Sequence, residues 1–215
     1  QAAVFRKNGT DEYEIAFKGT TMTSGSDWWQ NIKQGSGNQS DYYTRAQQIS
    51  RNASERVGKE NVSKLSFTGH SLGGGLASAA ARATGQPATT FNAAGLHNKT
   101  VTLPVYAPID AVRVKGEVLT AIQSSLPVPE AARTGQPYSL DPPANIGAPM
   151  ELRGFSALDG LAFLFGPLPG MLWNGGKYLS GMASRSVELH GMKAVKDSLK
   201  QRIQNIAPQA GACGC

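Results

Sequence analysis

The chain has 215 residues, of which 40% are hydrophobic and 17% charged, a balance that fits one or two compact domains and excludes disorder. Its 25 glycines and 12 prolines supply loops but follow no collagen-like or low-complexity pattern. The formal net charge of +6 suits an anionic partner, yet no run of five like charges occurs, so charge by itself does not separate nucleic acid from a phospholipid surface.

QAAVFRK (1–7) and EYEIAFKG (12–19) read as two strands, joined by an Asn-Gly turn at Asn8 and Gly9. SGNQSDYYTRAQQISRNASERVG follows, with Tyr42, Ala46, Ile49, Ala53 and Val57 on one helical stripe. Ser40 or Asp41 is the expected cap and Gly58 the stop. NVSKLSFTG is a strand, LGGGLASAAARATG a small-residue helix ending at Gly85, and ATTFNAAG and AVRVKGE are further strands. This alternation predicts an α/β fold, a mostly parallel sheet flanked by helices.

From Pro127 to Pro149 six prolines dissolve the pattern, and the stretch from Phe155 to Trp173 is strongly apolar. VELHGMKAVKDSLKQRIQNI restores a helix, with Met192, Val195, Leu199, Ile203 and Ile206 on one face and His190 in the loop before it. The expected organisation is a single domain over 1–215, with 126–184 as a lid-like or interfacial insertion. The abrupt opening on QAAVF reads as a mature fragment or an excised domain. The apolar stretch is interrupted by Pro167 and Pro169, so no membrane-spanning helix is expected. Cys213 and Cys215 are too close for a good mutual disulfide and too few for a tetrahedral metal site.

The sharpest chemical signal is Gly69-His70-Ser71-Leu72-Gly73, a G-x-S-x-G sequence between an expected strand and an expected helix. The two glycines allow a tight strand-to-helix turn that lifts Ser71 above the sheet, where the helix N-terminus favours developing negative charge. Ser71 is the candidate nucleophile. Of the three histidines, His70 adjoins the nucleophile and reads as a packed structural residue. His97 breaks the usual order of nucleophile, acid and base, and His190 fits that order as the base. Glu117 follows a strand by one glycine, where an acid that orients the imidazole belongs; Asp110, which lies before that strand, at the wrong end for a parallel sheet, is the runner-up. Asp27 with Gln30 reads as a capping box.

With GHSLGG, the upstream AFKGT and the following DWWQN in order and spacing, the chain resembles the class 3 lipases and their α/β-hydrolase relatives. The resemblance covers most of 3–122 and returns at LHGM. It implies a serine hydrolase acting on lipid esters, with the backbone amides of Thr20 and Leu72 as the oxyanion hole. Lys18 stands where the family usually has arginine, which loses planar bidentate pairing, and Glu117 stands where aspartate is common.

The overall pattern, including GEVLT and LHGM, is also similar to bacterial lipase-like toxins exported by type VI secretion. That likeness implies a phospholipase of A type acting as an antibacterial effector, secreted or translocated into a target cell, with a membrane surface and an immunity protein as partners. A triacylglycerol lipase and a noncatalytic lipid- or protein-binding domain stay open as alternatives. No organic cofactor, metal cluster or nucleic-acid partner is expected, and the loop carboxylates leave calcium open. The basic residues Lys177, Arg185, Lys193 and Lys196 fit either an anionic phospholipid surface or a solvated helix face.

Overall fold

The computed structural model describes residues 1–19, 39–58, 61, 64–96, 100–101, 104–120, 135–146 and 185–210. Strands β1 (Ala2–Arg6) and β2 (Tyr13–Phe17) form the expected hairpin, its turn closed by the Lys7 amide donating to the Glu12 carbonyl at 2.9 Å. They are followed by α1 (Gln39–Val57), β3 (Leu65–His70), α2 (Leu72–Thr84), β4 (Ala88–Phe91), β5 (Ile109–Val114), β6 (Gln136–Leu140) and α3 (Met192–Ala210). The six strands lie in the order β1-β2-β3-β4-β5-β6, with β1 antiparallel to β2 and every other neighbouring pair parallel.

Consecutive parallel strands joined by right-handed crossovers carry their helices on one face, and α1 and α2 do pack together. Strand alternation sends Ile15, Phe67, Ala88 and Ile109 into the core on that side. Phe91, Val112, Val114 and Leu140 point to the other side, against Leu189, just before α3, and Val195 in its first turn. Helices therefore cover both faces of a mostly parallel sheet, the α/β architecture expected from the alternation of elements.

Five local readings are corrected. Helix α1 begins at Gln39, so Ser40 and Asp41 lie inside its first turn instead of capping it. Its buried face is Tyr43, Ala46, Gln47 and Ser50, while Tyr42 and Ile49 are exposed. Two polar residues are tolerated there because the Gln47 amide donates to the Tyr43 and Thr100 carbonyls and the Ser50 hydroxyl donates to the Gln47 carbonyl. In α3, likewise, Ile203 and Ile206 are exposed, since contact with β5 and β6 is made by its first turns.

The proline-rich stretch holds β6, which pairs with β5 from Asp110↔Gln136 to Val114↔Leu140. Pro137 is compatible with the last strand of the described sheet, where a missing amide hydrogen costs no ladder bond if it faces away from β5. Part of the segment assigned to an insertion thus belongs to the sheet. Finally, His190 ends a helical stretch, 185–190, and is separated from α3 by Gly191; it was expected in a loop. The apolar stretch from Phe155 to Trp173 lies outside the described residues, as do Asp27, Gln30, Lys177, Cys213 and Cys215.

Candidate active site

Ser71 joins β3 to α2 with φ 58 and ψ −125, a left-handed backbone that costs a non-glycine residue about 1–3 kcal/mol and persists only when its surroundings hold it. Four backbone hydrogen bonds do so. The Ser71 amide donates to the Phe91 carbonyl at 3.1 Å, and the Ser71 carbonyl accepts from Gly74, Gly75 and Ala94 at 3.0, 3.3 and 3.0 Å. Serine at the head of a helix commonly caps it through its hydroxyl, but Ser71 makes no such bond. Its buried hydroxyl is hydrogen-bonded to none of the described residues.

The glycines on either side of Ser71 are required sterically. A Cβ at Gly69 would stand 2.2 Å from the Gly73 carbonyl oxygen, and one at Gly73 would stand 2.2 Å from that of Phe17. The end of β2 is thereby held against the turn, with Gly19 beside the His70 carbonyl and the Gly73 amide. Thr20, the next residue, lies outside the described residues. Leu72 is the first residue of α2, so its amide has no acceptor within the helix. Lys18 is exposed.

Glu117 follows β5 through Lys115 and Gly116, with its amide donating to the Val114 carbonyl at 3.2 Å. Its buried carboxylate accepts from the Leu119 amide at 2.9 Å and the Thr120 amide at 2.5 Å. Oε2 also receives Nδ1 of His190 at 2.5 Å, with both side chains buried. Burial works to raise the carboxyl's pKa, but the bond from His190, the electrostatic attraction of that imidazole and the donors of Thr120 outweigh burial and hold it below the ordinary value. Asp110, the runner-up acid, is exposed on β5 between Thr89 and Gln136. It sits at the opposite end of the strand from Glu117.

His70 is not an isolated packing residue. Its Nε2 lies 2.7 Å from the His190 carbonyl oxygen, and the two imidazole rings are 4.9 Å apart. Burial foremost, and then the charge of His190, push His70 down to about 4 against the opposing pull of its carbonyl bond and of Glu117. It is therefore neutral at pH 7. Because a carbonyl oxygen only accepts, the proton of that neutral ring is assigned to Nε2. His97 lies outside the described residues.

Sequence reasoning missed Asn92. It follows β4 with φ 41 and is fully buried. Its Oδ1 accepts from the Val114 amide at 2.9 Å, and its Nδ2 donates to the Leu189 and His190 carbonyls at 3.1 and 2.8 Å. The available signal was an asparagine directly after a strand, a residue type that enters the left-handed region more readily than most. Among the described residues no group of three or more His, Cys, Asp or Glu side chains could hold a metal ion. No described helix is long and apolar enough to cross a membrane.

A helix-flanked, mostly parallel sheet, a strained serine between strand and helix, and a buried pair made of the carboxylate that follows β5 and the histidine that ends the 185–190 helical stretch define an α/β-hydrolase domain. Residues 1–141 match the Tle-like phospholipase domain, and the chain belongs to this phospholipase-like family. It is also 39% identical over 101 residues to an extracellular phospholipase A1 of Serratia liquefaciens. That stretch is 47% of this chain and 29% of the relative, so the match spans under a third of the relative's length.

Proposed function

We propose that the chain is a serine esterase that hydrolyses acyl esters of phospholipids in the manner of an A-type phospholipase. The observation that carries this reading is the buried His190–Glu117 pair, whose histidine lies against the residue preceding Ser71. Nδ1 of His190 donates to Glu117, which leaves Nε2 as the basic nitrogen of the neutral ring.

In the acylation step Ser71 Oγ attacks the ester carbonyl carbon while His190 takes the hydroxyl proton. The carbonyl oxygen becomes an anion, which the amides of Leu72 and Thr20 stabilise by about 3–4 kcal/mol each, as is typical of such donors. When the intermediate collapses, the C–O bond to the leaving group breaks, and His190 returns the proton to the departing lysophospholipid oxygen. Water, deprotonated by His190, then cleaves the acyl-serine and releases a fatty acid. Glu117 holds the imidazole in one tautomer and supports its charge throughout.

The test is labelling with a fluorophosphonate followed by peptide mass spectrometry, together with product analysis from mixed phospholipid vesicles. A label on Ser71, with lysophospholipid and fatty acid as products, is expected. Parent-level hydrolysis by Ser71→Ala would overturn the mechanism. Diacylglycerol as product would replace the A-type assignment, and hydrolysis of triacylglycerol alone would favour the lipase alternative.

The resemblance to exported lipase-like toxins supports a finer reading, in which the enzyme is an antibacterial effector delivered to a rival cell's membrane and neutralised in its producer by an immunity protein. Directing the parent chain and Ser71→Ala to the periplasm of a susceptible bacterium tests it. Growth arrest by the parent chain only is the expected result.

A further inference from the structure

Two side-chain N–H groups converge on one carbonyl oxygen, that of His190. One is Nε2–H of His70 at the end of β3, at 2.7 Å; the other is Nδ2–H of Asn92 just after β4, at 2.8 Å. A carbonyl oxygen has two lone pairs, so this pair of donors fills it. Asn92 reaches further. Its second Nδ2 hydrogen goes to the Leu189 carbonyl, and its Oδ1 takes the amide of Val114, the last residue of β5 and three before Glu117. A single planar, fully buried amide thus links the strand end that carries the acid to the backbone that carries the histidine.

We propose that Asn92 and His70 are positioning residues of the catalytic base, which fix the His190 backbone from two neighbouring strand ends so that its ring keeps one orientation between Glu117 and Ser71. The inference rests on the reading of Ser71, His190 and Glu117 given above. Neither residue is assigned a proton transfer or a bond to substrate, although the His70 ring also packs 4.9 Å from the His190 imidazole. Both hold the His190 carbonyl, and a displacement of about 1 Å at a base can cost about 100-fold in rate. Asparagine suits the place because it tolerates φ 41 and offers two donors and one acceptor in one rigid group.

Three variants and one control decide the matter, assayed on a short soluble p-nitrophenyl ester with kcat, KM and melting temperature recorded. Asn92→Asp keeps shape, backbone preference and the acceptor for Val114, but turns an acceptor towards the Leu189 and His190 carbonyls. His70→Phe keeps a ring without the donor, and His70→Gln restores an N–H near the lost position. For Asn92→Asp we expect kcat lower by about 100-fold with KM within about twofold. His70→Phe should lose about tenfold in kcat, and His70→Gln should recover most of that loss at a melting temperature close to that of His70→Phe.

A merely structural role would leave the folded fraction turning over at the parent kcat, and His70→Gln would rescue nothing beyond stability; either result overturns the proposal. If Asn92→Asp fails to fold, the comparison of His70→Phe with His70→Gln decides alone. Ser71→Ala separates the two levels. Should it hydrolyse the ester at the parent rate, the mechanism fails and the proposal with it; should it be inactive while Asn92→Asp and His70→Phe keep the parent kcat, only the proposal fails.

Discussion

Oε2 of Glu117 and Nδ1 of His190 stand 2.5 Å apart, and neither side chain has exposed surface. Such a pair adds little stability over an apolar replacement, because desolvating two polar partners offsets most of their attraction. What it does provide is a single imidazole tautomer, since the carboxylate accepts only and Nδ1 must donate. The pair also sits at the carboxyl end of β5, on the side of the sheet where β3 ends at His70. In parallel α/β sheets that end is where chemistry is assembled.

Removing the Glu117 charge should therefore act on turnover more than on folding. Glu117→Gln is expected to lower kcat on a short soluble ester by about 10³- to 10⁴-fold, judged from the loss of a triad carboxylate elsewhere. Asp110→Asn, at an exposed position at the other end of β5, should change kcat less than about twofold. Steady-state kinetics with circular dichroism as a folding control checks both. Equal losses in the two variants would remove Glu117 from the mechanism.

Much of this arrangement was legible in the chain, for reasons that differ from element to element. β3, β4 and β5 are compact runs rich in Leu, Phe, Thr, Val and Ile, and the glycines around Ser71 announce a turn that no side chain would allow. β6 was not legible because Gly135 just before it and Pro137 within it read as loop, and Pro137 is tolerable only at the end of the described sheet. The inward face of α1 was misread because burial of Gln47 depends on a carbonyl 53 residues away. Asn92 and His70 escaped for the same reason. Their partners in the 185–190 stretch lie 98 and 120 residues further on, and no local pattern encodes a contact over that distance.

His70 gives the fold an acid-sensitive element. Its pKa falls from 6.5 to about 4 on folding, so between those values the unfolded chain binds a proton that the folded chain refuses. Stability is fully present above pH 6.5 and declines as the pH falls towards 4, by about 3 kcal/mol at most. Glu117, held below its ordinary 4.5, adds a loss that begins lower, as acid drives protons onto its buried carboxylate. Urea unfolding of the parent chain at pH 7, 5.5 and 4.5 should show the midpoint falling. His70→Gln should flatten that slope, and an unchanged slope in the variant would assign the acid sensitivity to other groups.

The apolar stretch from Phe155 to Trp173 yields a prediction from its sequence. Acyl chains need an apolar route to a serine shielded from water, and the net charge of +6 is compatible with an anionic lipid surface. Leu164→Ser with Phe165→Ser should weaken binding to anionic phospholipid vesicles and slow hydrolysis of aggregated lipid several-fold, while hydrolysis of a short soluble ester stays near the parent rate. Parallel loss on both substrates with a lower melting temperature would identify these side chains as core.

Gly73 is tightly constrained, since an added Cβ would stand 2.2 Å from the Phe17 carbonyl oxygen and 2.8 Å from the Gly19 amide nitrogen. Both atoms are backbone, held by the pairing of β2 with β3, so neither can yield as a flexible side chain would. Gly73→Ala must push the end of β2 away from the serine turn, at a cost of about 3 kcal/mol or more, and it should abolish esterase activity because the amides around Ser71 move with it. Gly9, in the β1–β2 turn with φ 75 and nothing within 4 Å of an added Cβ, is the contrasting position. Gly9→Ala should cost only the left-handed backbone penalty of about 1–2 kcal/mol and leave turnover at the parent rate. Melting curves and ester hydrolysis of the two variants check the pair, and full activity in Gly73→Ala would show that the close packing of β2 against the serine turn is not required for catalysis.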